Sequence, residues 1–140
     1  MARRYLTDEP GAARVRQLFR PSAGHRLFVA RATHAELASS LIRAERVGRI
    51  DRKKRVELWR LFRSHAASAY QIVELTAPVV NSAADLLFRS PLRAYDAVQV
   101  ASALSVGSQP DAAGNFRFVT ADRDQATAAR AEGLDVDFVP

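Results

Sequence analysis

Short apolar runs alternate with longer stretches of helical periodicity along this chain, and that alternation limits what it can fold into. The apolar runs are residues 26–32, 70–75, 116–120 and 136–139. Between them, apolar positions recur every three or four residues. Val15, Leu18 and Phe19 mark a helix over 11–20, and Leu37, Leu41, Ile42 and Val47 mark one from Thr33 to about Gly48. Asp51 reads as the N-cap of a helix over 52–69, strongly basic at first, with Val56, Trp59 and Phe62 on its apolar side. Thr76 opens another running to about 89, residues 94–106 form an alanine-rich apolar helix, and 124–132 form the last, ended by Gly133. Strands separated by helices of ten or more residues are joined by crossovers and therefore lie parallel, with helices covering the sheet. The expectation is one α/β domain over residues 1–140, with an extra helical pair between its first two strands.

The chain of 140 residues has the length of a single domain, and 48% hydrophobic with 26% charged residues is a globular composition rather than a disordered one. The absence of cysteine excludes disulfide frameworks, thiolate metal sites and thiol nucleophiles. The basic start, Met1-Ala-Arg-Arg, leads into Tyr5-Leu-Thr-Asp-Glu-Pro rather than an apolar stretch, so no signal peptide is expected. No segment approaches the ~20 apolar residues of a membrane span. A cytoplasmic location is expected.

Charge is unevenly spread. Residues 1–70 carry 16 bases and 6 acids, whereas residues 71–140 carry 5 bases and 9 acids. Nineteen of the 21 bases are arginine, whose guanidinium pairs in a bidentate manner with phosphate or carboxylate. The asymmetry favours a polyanionic partner, nucleic acid or an acidic protein.

In an open parallel sheet, ligands bind beyond the carboxyl ends of the strands, so the polar residues there are the candidates. The first strand leads into Thr33-His-Ala-Glu36 and the third into Thr120-Ala-Asp122-Arg-Asp124. Thr33-x-x-Glu36 also has the pattern of a capping box, and Asp122 and Asp124 suit a helix start. Asp96 stands among Ala97, Val98, Val100 and Ala101 on a helix expected to be buried on most sides, where a carboxylate is costly unless paired or bound to a cation. Clustered carboxylates without cysteine or histidine ligands suit a hard cation, Mg²⁺ or Mn²⁺, which also binds phosphate oxygens. His25, His34 and His65 lack zinc-site spacing, and no glycine-rich phosphate loop or nucleophile elbow is present. On the 52–69 helix, Trp59 and Phe62 are candidate partner contacts; an ordinary amphipathic helix packed on its own core explains them equally.

Four segments in order, Tyr5-Leu-Thr-Asp-Glu-Pro-Gly11, Thr33-His-Ala-Glu36-Leu37, Leu92-Arg-Ala-Tyr-Asp96-Ala97 and Phe118-Val-Thr-Ala-Asp122-Arg-Asp124, resemble PIN-domain proteins, in particular the toxin ribonucleases of VapBC-type toxin–antitoxin pairs. The resemblance implies a three-layer α/β/α fold and a Mg²⁺- or Mn²⁺-dependent endoribonuclease, usually dimeric and inhibited by a cognate antitoxin. It places Glu36, Asp96 and Asp122 on the catalytic metal-binding acids, Asp124 as a further metal ligand, and Thr120 on the hydroxyl position beside them. With Arg93, Thr120 is the expected contact to RNA. Against the family pattern, the chain enters at the first helix, so the short apolar central strand ending in aspartate is expected to be missing. A module that binds RNA or an antitoxin without cleaving is the alternative reading.

Overall fold

The computed structural model describes residues 1–6, 8–112 and 115–139. Thr7, within the first quoted segment, and residues 113–114, within the loop expected after the 94–106 helix, lie outside it. The elements are α1 (Ala2–Tyr5), α2 (Ala12–Leu18), β1 (Leu27–Ala30), α3 (Thr33–Arg46), α4 (Arg52–Ser68), β2 (Tyr70–Val73), α5 (Ala77–Arg89), α6 (Ala94–Gly107), β3 (Phe118–Thr120), α7 (Arg123–Ala131) and β4 (Val136–Phe138). Short 3-10 turns, Pro21–Ala23 and Pro110–Ala112, follow α2 and α6. The fold is mixed α/β, mostly helical, with the expected order of strands and helices.

Among the described residues, the strands pair two by two rather than in one continuous sheet: β1 with β2, and β3 with β4. The β3–β4 pair is parallel, with Phe118, Val119 and Thr120 opposite Val136, Asp137 and Phe138. Backbone bonds from Phe118 N to Asp135 O and from Val139 N to Thr120 O, each 2.8 Å, close its two ends. Strands of three residues have few groups with which to bond a neighbour, which keeps the ladder short.

The chain divides into two compact units, Met1–Ile72 and Val73–Pro140. The boundary coincides with the change in charge: the first unit holds the arginine-rich part of the sequence and the second the acid-rich part. Each unit has its own core. In the first, Tyr5, Leu37, Leu41, Leu58, Phe62 and Tyr70 are buried together. In the second, Val79 and Leu86 of α5 pack with Ala97, Val100 and Ala101 of α6 and with Ala129 of α7. The small side chains of α6 let its neighbours approach closely on several sides, and six of its residues are buried.

Helix ends follow local chemistry in several places. Asp51 caps α4 by accepting from Lys54 N at 2.6 Å, and Asp122 caps α7 by accepting from Gln125 N at 2.9 Å. After α7, Gly133 at φ 85° donates to Arg130 O while Leu134 N reaches back to Ala129 O, a Schellman closure that needs the left-handed conformation glycine adopts freely. Thr33 does not cap α3. It is the first residue of the helix, Ala32 occupies the cap, and no side chain bonds there. The turn through Arg31 and Ala32 starts the helix early, with Glu36 N already bonded to Ala32 O at 3.2 Å, so the capping-box expectation is corrected and Glu36 is released from that role.

Candidate functional site

The first unit contains a polar cluster within its aromatic core. Tyr5 Oη lies 2.9 Å from His65 Nδ1 and 2.9 Å from Tyr70 Oη. The neutral imidazole accepts from Tyr5 or donates to it according to its tautomer, and either tyrosine hydroxyl can donate to the other. Burial pushes the Tyr5 hydroxyl well above its usual range, reinforced by Tyr70. Burial also lowers His65, with the Arg4 charge acting in the same direction. Each shift favours the neutral form, so this cluster supports the packing of the unit.

Phe62 corrects an expectation. It has 0% exposure and packs edge-on against Tyr5 and His34, at 5.8 and 4.8 Å between ring centroids, so it presents no surface to a partner. Trp59 is half-buried and lies 5.5 Å from the Phe62 ring. Helical periodicity identified an apolar side correctly but does not tell a core stripe from a docking stripe.

Glu36 stands half-buried in the first turn of α3. Burial lowers the pKa of the Met1 amine, and the Glu36 carboxylate opposes that effect.

Three of the remaining candidates, Asp96, Thr120 and Asp122, meet in the second unit at a residue absent from the sequence-derived set, Gln125. Its side-chain Nε2 donates to Asp96 Oδ1 at 2.7 Å, and its Oε1 accepts from Thr120 Oγ1 at 2.7 Å. Its backbone N donates to Asp122 Oδ1, and Asp122 N donates back to Thr120 Oγ1 at 3.1 Å. One amide therefore joins α6, the end of β3 and the start of α7. The partner that makes Asp96 tolerable is this neutral amide, and Asp96 is half-buried rather than enclosed. Thr120 is buried, and its single hydroxyl proton goes to Gln125. Its hydroxyl therefore orients the amide. Arg93 is exposed at the N-cap of α6, one turn before Asp96, and makes no ion pair among the described residues. Asp124 is exposed in the first turn of α7.

Among the described residues, no group of three or more His, Asp or Glu side chains gathers closely enough to hold a metal ion. The donor chemistry of Asp96 and Asp122 nonetheless fits a Mg²⁺-type ion, which commonly takes one or two protein carboxylates and completes its shell with water and phosphate oxygens. Gln125 bonds only Oδ1 of each aspartate, leaving Oδ2 of each without a hydrogen bond to the described residues. Carboxylates that hold a metal are in turn hydrogen-bonded by outer groups; here Asp96 has the Gln125 side-chain amide, and the Asp122 bond is the N-cap of α7.

The family model for the PIN domain matches residues 3–131, and the chain belongs to that family. No curated protein matches it. Membership points to nuclease-type chemistry on nucleic acid, a class that generally uses divalent metal ions. No helix among the described residues is long and apolar enough to cross a membrane.

Proposed function

We propose that the chain is a divalent-metal-dependent endoribonuclease, acting as the toxin of a type II toxin–antitoxin pair. The observation that supports the reading most strongly is the Gln125 network, which orients two carboxylates from different elements and leaves an oxygen of each available. In this reading Asp96 and Asp122 hold the ion, Gln125 and Thr120 orient them, and Arg93 binds a phosphate of the RNA. Bound there, Mg²⁺ or Mn²⁺ supplies polarisation of the phosphodiester and a more acidic water. Asp124 is a further acid of the second unit, and Glu36 a candidate acid of the first unit, each by family resemblance alone. A cognate antitoxin and a second copy of the chain are the partners, with half-buried Trp59 as a candidate contact.

The test is RNA cleavage by the purified chain with Mg²⁺ or Mn²⁺, repeated with Asp96→Asn and with excess chelator. Cleavage should require the metal and fall by more than about a hundredfold in the variant, since losing a ligand costs more than losing its supporting hydrogen bond. Cleavage that survives in chelator, or in Asp96→Asn, overturns the reading. The lack of a three-acid group among the described residues favours, as the second reading, a module that binds RNA without cleaving it. Its signature is RNA binding that weakens with salt and is indifferent to divalent metal.

A further inference from the structure

Four of the six Arg and Lys side chains of α4 share one side of the helix, while Lys54 and Arg55 lie outside it and Glu57 borders it. At 100° per residue, Arg52, Arg63, Arg60 and Lys53 fall within an arc of about 100°, opposite the side that buries Leu58 and Phe62. All four are exposed, and none has an acidic partner among the described residues. The nearby acids are committed elsewhere: Asp51 to the helix cap, Glu57 to Lys54 at 2.9 Å, and Glu45 to Arg55. The first turn holds no acid, so Arg52 and Lys53 stand at the positive end of the helix dipole, where cations disfavour folding. A shallow depression between them is lined by Arg52, Lys53, Val56, Glu57 and Arg60.

We infer that this face of α4 is a track for the phosphate backbone of single-stranded RNA. The inference rests on the ribonuclease reading only for the identity of the polyanion. From Arg52 to Arg63 the cations span about 16 Å along a straight helix, long enough for several phosphates. Val56 is the only apolar side chain lining the depression, whereas a docked peptide draws its affinity from larger apolar or aromatic anchors. The face therefore suits a ligand of repeating charge better than an acidic protein segment.

The experiment measures binding of a labelled, unstructured RNA by the full chain in EDTA, over salt from about 50 to 200 mM. The proteins are wild type, R52Q/K53Q/R60Q/R63Q, and the single variants R60Q and R63Q. Each lost phosphate contact should lower the steepness of log affinity against log salt by about 0.7, so the quadruple variant loses up to about 2.8. Relieving the first turn of its cations should leave thermal stability equal or higher, which separates lost binding from lost folding. An unchanged salt slope and affinity in the quadruple variant overturns the track. So does a quadruple variant that keeps its RNA affinity while losing affinity for polyglutamate, the result expected of an acidic protein partner. A parallel cleavage assay with Mg²⁺ separates the two conclusions. Metal-dependent cleavage with an unchanged slope sinks the track alone, whereas an α4-dependent slope without cleavage sinks the enzyme alone.

Discussion

A neutral amide between two carboxylates does something a third acid would not: it orients both without adding charge. Gln125 holds Asp96 through its side chain and Asp122 through its backbone, and Thr120 prevents the amide from turning over by donating to its oxygen. Gln125→Ala should therefore lower metal-dependent cleavage about 10–100-fold and raise the Mg²⁺ concentration needed for half-maximal rate. Thermal stability should fall by about 1–3 kcal/mol, since two side-chain hydrogen bonds are lost and the buried Thr120 hydroxyl is left without its acceptor. Wild-type metal dependence in that variant would remove the orienting role. Asp122 stood out in the sequence as a carboxylate after a strand end, and Asp96 as a carboxylate on an apolar helix. Gln125 did not, because nothing in its neighbourhood shows that its amide reaches a residue 29 positions earlier. Thr33 and Glu36 err in the opposite direction. Their spacing matches a capping box, but the helix begins one residue too soon for the threonine to cap it.

At the scale of elements, helix identity followed from period and ends from capping chemistry. The helix expected over 52–69 is found over Arg52–Ser68, with Asp51 at its cap, because both signals lie within a few residues of each other. Gly133 ends α7 for an equally local reason. A Cβ placed there meets nothing within 4 Å, so Gly133→Ala should be penalised only through its left-handed backbone. The expected cost is about 1 kcal/mol, read as a lower midpoint in denaturant with an unchanged slope. A silent substitution would mean that the turn relaxes to another conformation. What each helix faces was less legible. On α4 the apolar set merged Val56 with Trp59 and Phe62, yet Phe62 enters the core while Val56 lines the basic depression.

Across the whole molecule, the division into two units follows the charge division already present in the sequence. Stability should also depend on pH through the first unit's polar cluster. His65 has its pKa lowered in the fold, so the unfolded chain binds the extra proton first, and stability falls as pH drops below about 6.5. Tyr5 is raised, so the unfolded chain ionises first, and stability falls as pH rises above about 10. Asp8, lowered chiefly by its hydrogen bond from Arg49, adds a further loss as pH falls below about 4. The Met1 amine, lowered by burial, adds a loss as pH falls below about 8, so thermal melts across pH should show a plateau between about 8 and 10. His65→Phe should flatten the shoulder near 6.5, and a shoulder that persists would place the titrating group elsewhere.

The amino-acid order by itself determined the succession of helices and strands and the uneven charge, because each arises from neighbours within a few positions. Tertiary packing alone decided that Phe62 is enclosed, that the strands join in pairs, and that Gln125 stands between Asp96 and Asp122. Those contacts link positions far apart in the chain, and only the close fit of side chains selects which of them meet.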